Sequence, residues 1–147
     1  NEDDIRNGTA YANKVGIKNL KTSEKDEFLK FGEIEPCTAE EFAKKIKSAL
    51  GGAVSFTDSG KTIKTVAMCS GGGGDMVAQA KAIGVDAFLT GEAKHHEFLA
   101  AKDMGLTLIA AGHFETENPV VCVLADRIKA DFPEYSEIAD RILNGEV

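Results

Sequence analysis

Residues 107–127 read TLIAAGHFETENPVVCVLADR, a pattern that predicts a short apolar strand, a Gly-His turn and an amphipathic helix. His113 would lie at the strand end and Glu117 in the first helical turn. Ligands of open α/β sheets bind at the carboxyl ends of the strands, so both side chains are expected at such an edge. Imidazole nitrogen and carboxylate oxygen are ordinary metal ligands. Two ligands do not complete a metal site, so others must come from elsewhere.

Two similar units precede this stretch and extend the pattern upstream. Strands are predicted at 63–69 and 87–90, and helices at about 75–83 and 94–104. Residues 63–130 therefore read β-α-β-α-β-α, which predicts an α/β fold with a largely parallel sheet and flanking helices. Further upstream, Thr38 begins a capped helix that reaches residue 50, and a short strand follows.

The remaining segments give weaker patterns. Residues 1–36 are predicted to be the tail of a preceding region and a linker, and residues 37–147 the α/β domain. Residues 18–36 are charged and irregular, with one short extended piece at their end. The segment SEIADRIL after Pro133 fits a helix or an edge strand. Because the chain begins with Asn1 rather than Met, we expect it to be part of a longer protein.

Composition excludes several classes of function. The length of 147 residues suits one domain, and the formal net charge of -7 disfavours non-specific binding to nucleic acid or anionic membranes. No apolar run approaches the length of a membrane span. The three cysteines show no CxxC spacing, which fits reduced thiols in the cytoplasm. Cys69 and Cys122 fall on apolar faces and are predicted to be core residues.

A glycine-rich loop follows the strand at 63–69. In one interpretation its backbone N–H groups bind an anion such as a nucleotide phosphate. In the other it is a tight turn that passes close to a neighbouring segment. The sequence matches neither GxGxxG nor the Walker pattern, which favours the tight turn. The loop consists of Ser70, Gly71, Gly72, Gly73 and Gly74.

A second loop follows the strand at 87–90, and it carries the candidates Thr90, Gly91, Glu92, Lys94 and His96. If a helix begins near Glu92, His96 lies one turn further on the same face. Glu92 and His96 are then candidates for orienting a ligand or for general acid/base catalysis. The alternative is an exposed helix N-terminus, which is the preferred interpretation for His95.

His113 and Glu117 also have a structural alternative, a buried hydrogen-bonded histidine and a helix-capping carboxylate. Both interpretations fit these residues taken alone, and it is the convergence of three loops that points to a function at one edge of the sheet. The loops at 70–75, 90–96 and 112–117 all leave the same edge of the predicted parallel sheet. That edge is therefore the candidate functional site.

At these loops the sequence resembles the C-terminal half of the Nif-three-like proteins, the NGG-one interacting factor three family. Three family motifs occur in order: the glycine-rich loop at 70–74, the TG[ED] turn at 90–92 with His96, and GHxxTE at 112–117. The similarity extends upstream through FGEIEP at 31–36 and the helix at 38–50. It includes YANKVGI at 11–17, so it covers nearly the whole chain.

The resemblance implies the C-terminal portion of a Nif-three-like α/β fold, with a dinuclear metal centre in a cleft and assembly as a toroidal homohexamer. His113 and Glu117 would be the metal ligands from this half. The family's other half supplies a His-His pair and an Asp. His95-His96 belongs to the TG[ED] segment instead, and Asp3 and Asp4 are poor stand-ins for the Asp. Two divalent ions (Zn, Mn or Fe) are therefore expected in the full-length protein. This chain alone could bind no metal ion.

The resemblance further implies a metal-dependent hydrolase, of the type-two GTP cyclohydrolase I kind, in the full-length form. Glu92 or His96 would transfer protons, and residues 70–74 with Thr90, Gly91 and Lys94 would form the substrate loops. Nothing in these residues selects GTP. One alternative is a metal-binding or regulatory scaffold without catalysis. Another is a nucleotide-binding module that uses the glycine-rich loop without metal.

Overall fold

The computed structural model describes residues 7–146, so Asp3 and Asp4 lie outside the described range. Within it the α-helices are α1 (Asn7–Val15), α2 (Ala39–Leu50), α3 (Val77–Ile83), α4 (His95–Asp103), α5 (His113–Asp131) and α6 (Ser136–Leu143). The strands are β1 (Lys18–Thr22), β2 (Lys30–Cys37), β3 (Ser55–Thr57), β4 (Ile63–Met68), β5 (Ala87–Thr90) and β6 (Thr107–Ala110). None of these helices is long and apolar enough to cross a membrane.

The strands form one sheet in the order β1-β2-β4-β5-β6-β3. The central pairs β4–β5 and β5–β6 are parallel, whereas β1–β2, β2–β4 and β3–β6 are antiparallel. The α/β class is confirmed. The sheet is less parallel than predicted, because only the neighbours β4, β5 and β6 pair in parallel, and β2 and β3 flank them in the opposite direction.

The interpretation of residues 18–36 as an irregular linker is wrong, since they supply β1 and β2. The charged residues of this segment suggested a linker, but they lie on the exposed face of a strand. β2 exposes Glu33 and Glu35 on one face and buries Ile34 on the other. Pro36 lies where the register between β2 and β4 shifts, so it interrupts no ladder hydrogen bond there. That residues 1–36 end a preceding region stays a prediction.

Two apolar clusters cover the two faces of the sheet. Alternate strand residues point to opposite sides, so Val66 and Met68 join one cluster and Ala67 the other. Helices α1 and α2 cover the first face through Tyr11, Val15, Phe42 and Ile46. Helices α3 and α4 cover the second through Val77, Ala80 and Ala101.

Several local predictions are confirmed. The Thr38 hydroxyl accepts a hydrogen bond from the Glu41 N–H at 3.2 Å and so caps α2. The SEIADRIL segment is helix α6. Cys69 is buried, and burial together with Asp26 and Asp75 raises its pKa to about 11, so its thiol stays protonated at neutral pH. The prediction that Cys122 is a core residue is wrong, because its side chain is only partly buried on α5.

Asp86 ties the amino ends of the parallel strands together. Its Oδ2 accepts hydrogen bonds from the Lys64 N–H at 2.9 Å, the Thr65 N–H at 3.1 Å and the Thr65 hydroxyl at 3.2 Å. Its own N–H donates to the Thr65 carbonyl at 3.1 Å, and its carbonyl accepts from the Thr107 N–H at 3.2 Å. One residue therefore contacts β4 and β6 from the start of β5.

We predict that Asp86→Ala lowers the free energy of unfolding by about 1–3 kcal/mol, because it leaves half-buried donors without their acceptor. Denaturant unfolding followed by circular dichroism measures the loss. Asp103→Ala is the control, since Asp103 is exposed at the end of α4 and its replacement should change stability by less than about 0.5 kcal/mol. Equal losses in the two variants would contradict this role of Asp86.

Candidate metal site at the carboxyl edge of the parallel strands

The three predicted loops meet at one edge of the sheet. Met68 pairs with Leu89, and Thr90 pairs with Ala110, so β4, β5 and β6 end side by side. Backbone bonds continue the pairing into the loops. The Glu92 N–H donates to the Gly71 carbonyl, and the Gly112 N–H donates to the Gly91 carbonyl, both at 2.8 Å. The predicted convergence of the loops is confirmed.

Two fully buried threonines fasten the glycine-rich loop. The Thr116 hydroxyl accepts from the Gly71 N–H, and the Thr90 hydroxyl accepts from the Gly73 N–H, both at 3.1 Å. The Thr116 hydroxyl in turn donates to the Gly112 carbonyl at 2.9 Å. Two N–H groups of the loop are thus directed inward, which favours the tight turn over an anion cradle.

The glycines allow the segments to approach closely. A Cβ on Gly91 would lie 2.7 Å from the Thr116 hydroxyl oxygen and 2.9 Å from the Gly112 carbonyl oxygen. A Cβ on Gly73 would lie 2.8 Å from the Cys69 sulfur. No side chain fits at those distances, so these glycines are required by packing.

His113 lies between two carboxylates. Its Nε2 is 3.2 Å from Glu117 Oε1, and its Nδ1 is 3.5 Å from Glu92 Oε2. The exposed fractions of the three side chains are 50% for His113, 49% for Glu117 and 63% for Glu92. Since exposed ion pairs contribute little to stability, this arrangement is better explained by a function than by stabilisation of the fold.

The geometry of His113 and Glu117 fits two ligands of one divalent ion. Two donors that are bonded at about 2.1 Å and subtend an angle of about 90–110° lie about 3.0–3.4 Å apart. The observed 3.2 Å falls in this range. Gly71 borders the same space with φ of 65°, and a Cβ there would lie 2.9 Å from Glu117 Oε1 and 3.2 Å from His113 Nε2. The missing side chain leaves room for an ion.

Within residues 7–146, no group of three His, Cys, Asp or Glu side chains is arranged to hold a metal. Glu92 does not complete such a group, because it faces the opposite edge of the imidazole ring from Glu117. The described part of the chain therefore offers two ligands rather than a full site.

The other predicted site residues are placed differently. Helix α4 begins at His95, so Glu92 precedes the helix and the assumed helical spacing to His96 does not form. His96 is exposed in the first turn of α4. Lys94 is exposed too, and its backbone N–H donates to Glu97 Oε2 at 2.6 Å. The structure thus brings Glu92, but not the predicted face of α4, to His113.

A cleft of about 950 Å³ opens beside Glu117, between the glycine-rich loop and the β1–β2 hairpin. Its lining includes Tyr11, Phe28, Lys30 and Met76. Tyr11 is fully buried, and its hydroxyl has no hydrogen-bond partner among the described residues. Burial raises the Tyr11 pKa well above its usual value. Sequence reasoning missed this cleft because one side of its wall comes from the segment interpreted as a linker.

The fold and this site define a class, an α/β protein with a histidine–carboxylate pair at the carboxyl edge of its parallel strands. The model of the Duf34/NIF3 (NGG1p interacting factor 3) family matches residues 1–144, and the chain belongs to this family. The family resemblance seen in the sequence is confirmed.

Individual relatives agree with this assignment. A Pseudomonas aeruginosa protein named GTP cyclohydrolase 1 type 2 homolog is 39% identical over 98 residues, which are 67% of this chain and 39% of the relative. A Haemophilus influenzae protein of the same name is 29% identical over 142 residues, 93% of this chain and 57% of the relative. The chain thus spans about half the length of these relatives.

A solved structure supports the same family assignment. The structure of protein ybgI, described as of unknown function, superposes with a TM-score of 0.80 and 30% sequence identity. The match covers 87% of this chain and 52% of that protein.

We predict that Thr116→Val destabilises the loop, because the buried Gly71 N–H loses its acceptor at a cost of about 1–3 kcal/mol. Hydrogen exchange of the Gly71 amide should accelerate. Thr57→Val is the control, since Thr57 is a half-buried strand residue of β3 remote from the loop in sequence. Unchanged exchange at Gly71 in Thr116→Val would show that the hydroxyl does not fasten the loop.

Proposed function

We propose that this chain contributes His113 and Glu117 to a dinuclear metal centre, as the C-terminal part of a metal-dependent, hydrolase-like protein. The observation that carries the proposal is the 3.2 Å separation of Nε2 and Oε1 beside the space that Gly71 leaves open. Both donors suit zinc, manganese or iron, so the donor types do not select among these ions. The remaining ligands would come from outside residues 7–146.

Divalent ions held there would supply Lewis-acid activation of water and of a hydrolysable group. The chain's own residues would position the substrate. The cleft beside Glu117 offers the aromatic ring of Phe28, the ammonium group of Lys30 and the apolar Met76. Because relatives carry the name GTP cyclohydrolase 1 type 2 homolog, GTP is the first substrate to test.

The two alternatives differ in their support. A regulatory scaffold without turnover would share the same metal ligands, so only an activity assay separates it from an enzyme. A metal-independent nucleotide-binding module would need free N–H groups in the glycine-rich loop. The bonds of Gly71 and Gly73 to Thr116 and Thr90 argue against that module. A homohexamer and a cytoplasmic location stay predictions, which sedimentation and fractionation would test.

We predict that metal content depends on residues beyond those described. This chain and a version extended upstream along its native coding sequence are loaded with zinc, manganese or iron, dialysed and measured by elemental analysis. The extended version should retain about two ions per chain, and His113→Ala should lower that number. This chain alone should retain fewer ions, because it offers two ligands.

The outcomes separate the proposals. Metal-dependent consumption of GTP by the extended version, lost in His113→Ala, would support the hydrolase and exclude the scaffold. Nucleotide binding that survives both chelator and His113→Ala would favour the metal-independent module. Failure of both versions to retain any ion would contradict the metal-site proposal.

We further predict that Gly71→Ala reduces metal retention in the extended version, whereas Gly72→Ala does not. A Cβ on Gly71 would crowd His113 Nε2 and Glu117 Oε1, but a Cβ on Gly72 would have nothing within 4 Å. Because Gly71 has a positive φ and Gly72 does not, Gly84→Ala, at φ of 90° with nothing within 4 Å of its Cβ, controls for backbone strain, and the two loop variants are compared by elemental analysis. Circular dichroism checks that both are folded, and equal metal retention would count against an ion beside Gly71.

A further inference from the structure

The opposite edges of the His113 ring face two carboxylates that are not equivalent. Glu117 faces Nε2 from the same helix, one turn along α5. Glu92 faces Nδ1 from the loop that follows β5. The Glu92 backbone is held in place, because its N–H donates to the Gly71 carbonyl at 2.8 Å and Gly91 before it packs tightly against Thr116.

A histidine that binds a metal must present a nitrogen lone pair to the ion, so its proton must lie on the other ring nitrogen. A carboxylate beside that other nitrogen selects this tautomer and fixes the ring orientation. Glu92 is on the required edge of His113, since Nε2 is the nitrogen that faces Glu117 and Gly71.

We propose that Glu92 is a positioning residue, which holds the proton of neutral His113 on Nδ1 and leaves Nε2 free to bind a cation. Of the two roles that the sequence left open for Glu92, this is the orientation of a ligand rather than proton transfer, because Glu92 lies across the ring from the pair that faces the ion. In the metal-free chain Glu117 Oε1, at 3.2 Å from Nε2, competes with Glu92 for the ring proton, so the preference for Nδ1–H is measured with the Glu117 carboxylate removed. Only its consequence for metal binding rests on the proposed function.

The first test is made without metal, at about pH 9, where an ordinary histidine is neutral. Long-range proton–nitrogen NMR reports which ring nitrogen carries the proton, and with three histidines in the chain, His113→Ala assigns the signal. The measurement is made in the Glu117→Ala variant, because this substitution removes the competing acceptor at Nε2. In this background we expect the Nδ1–H form to dominate.

Adding Glu92→Ala to that background should shift His113 toward the Nε2–H form. Glu92→Gln, which keeps an acceptor oxygen without the charge, should shift it less. Glu115→Ala is the matched control, since Glu115 lies in the same turn as His113, whose ion pairs within residues 7–146 are with Glu92 and Glu117. An unchanged tautomer ratio in the Glu92→Ala protein would overturn the proposal.

The second test titrates zinc into the version extended upstream, with Glu117 intact, and follows the His113 ring nitrogens. We expect zinc to bind at Nε2, and Glu92→Ala to weaken binding by about 10–100-fold, as for other carboxylates that orient a ligating histidine. Glu115→Ala should leave the affinity unchanged. Zinc bound at Nδ1 would overturn the proposal.

The two tests distinguish the positioning role of Glu92 from the proposed metal site. A tautomer shift on loss of Glu92, without measurable zinc binding in this chain or in the extended version, would support the positioning role and contradict the metal-site proposal. Zinc binding at Nε2 with an affinity independent of Glu92 would support the metal site and contradict the positioning role. Thermal unfolding confirms that each variant is folded, which the exposed position of Glu92 favours.

Discussion

The hydrogen bond from the buried Gly71 N–H to the Thr116 hydroxyl is the interaction on which the site depends. It joins the loop after β4 to the first turn of α5, across the end of β5. A buried donor without its acceptor is costly, so this bond and the matching one from Gly73 to Thr90 hold the loop in one position. The loop's position in turn fixes the carbonyl of Gly71, which holds Glu92.

This arrangement explains why glycines and threonines surround the histidine. Gly71 must lack a Cβ so that the space beside His113 Nε2 and Glu117 stays open, and Gly91 must lack one so that Thr116 can reach the loop. In the proposed site, the backbone that carries His113, Glu117 and Glu92 is therefore positioned by contacts with small side chains and glycines. A site built in this way is preorganised before any ligand arrives.

Hydrophobic periodicity was sufficient to predict the elements between residues 63 and 130, because buried parallel strands are continuously apolar and glycines follow α3 and α4. It failed at β1 and β2, where one exposed face fills with charges and resembles a linker. The alternation of strands and helices alone was enough to predict that His113 and Glu117 lie at this edge of the sheet. The pairing of Glu92 with Nδ1 did not, since it depends on where α4 begins, and helix starts are poorly defined by sequence.

In the proposed metal site, the ligands would come from two sources. Residues 7–146 provide a histidine and a carboxylate at a fixed 3.2 Å, with no third ligand arranged beside them. Two ligands held in position cannot enclose an ion, but they lower the entropy lost when further ligands close around it. The rigid loop is then most useful to a site completed from elsewhere, because each fixed ligand reduces the number of groups that must still be ordered. Within this chain, the ligand set of the proposed site is incomplete. The loop held by the Thr116 and Thr90 hydrogen bonds is the part of that site that is complete.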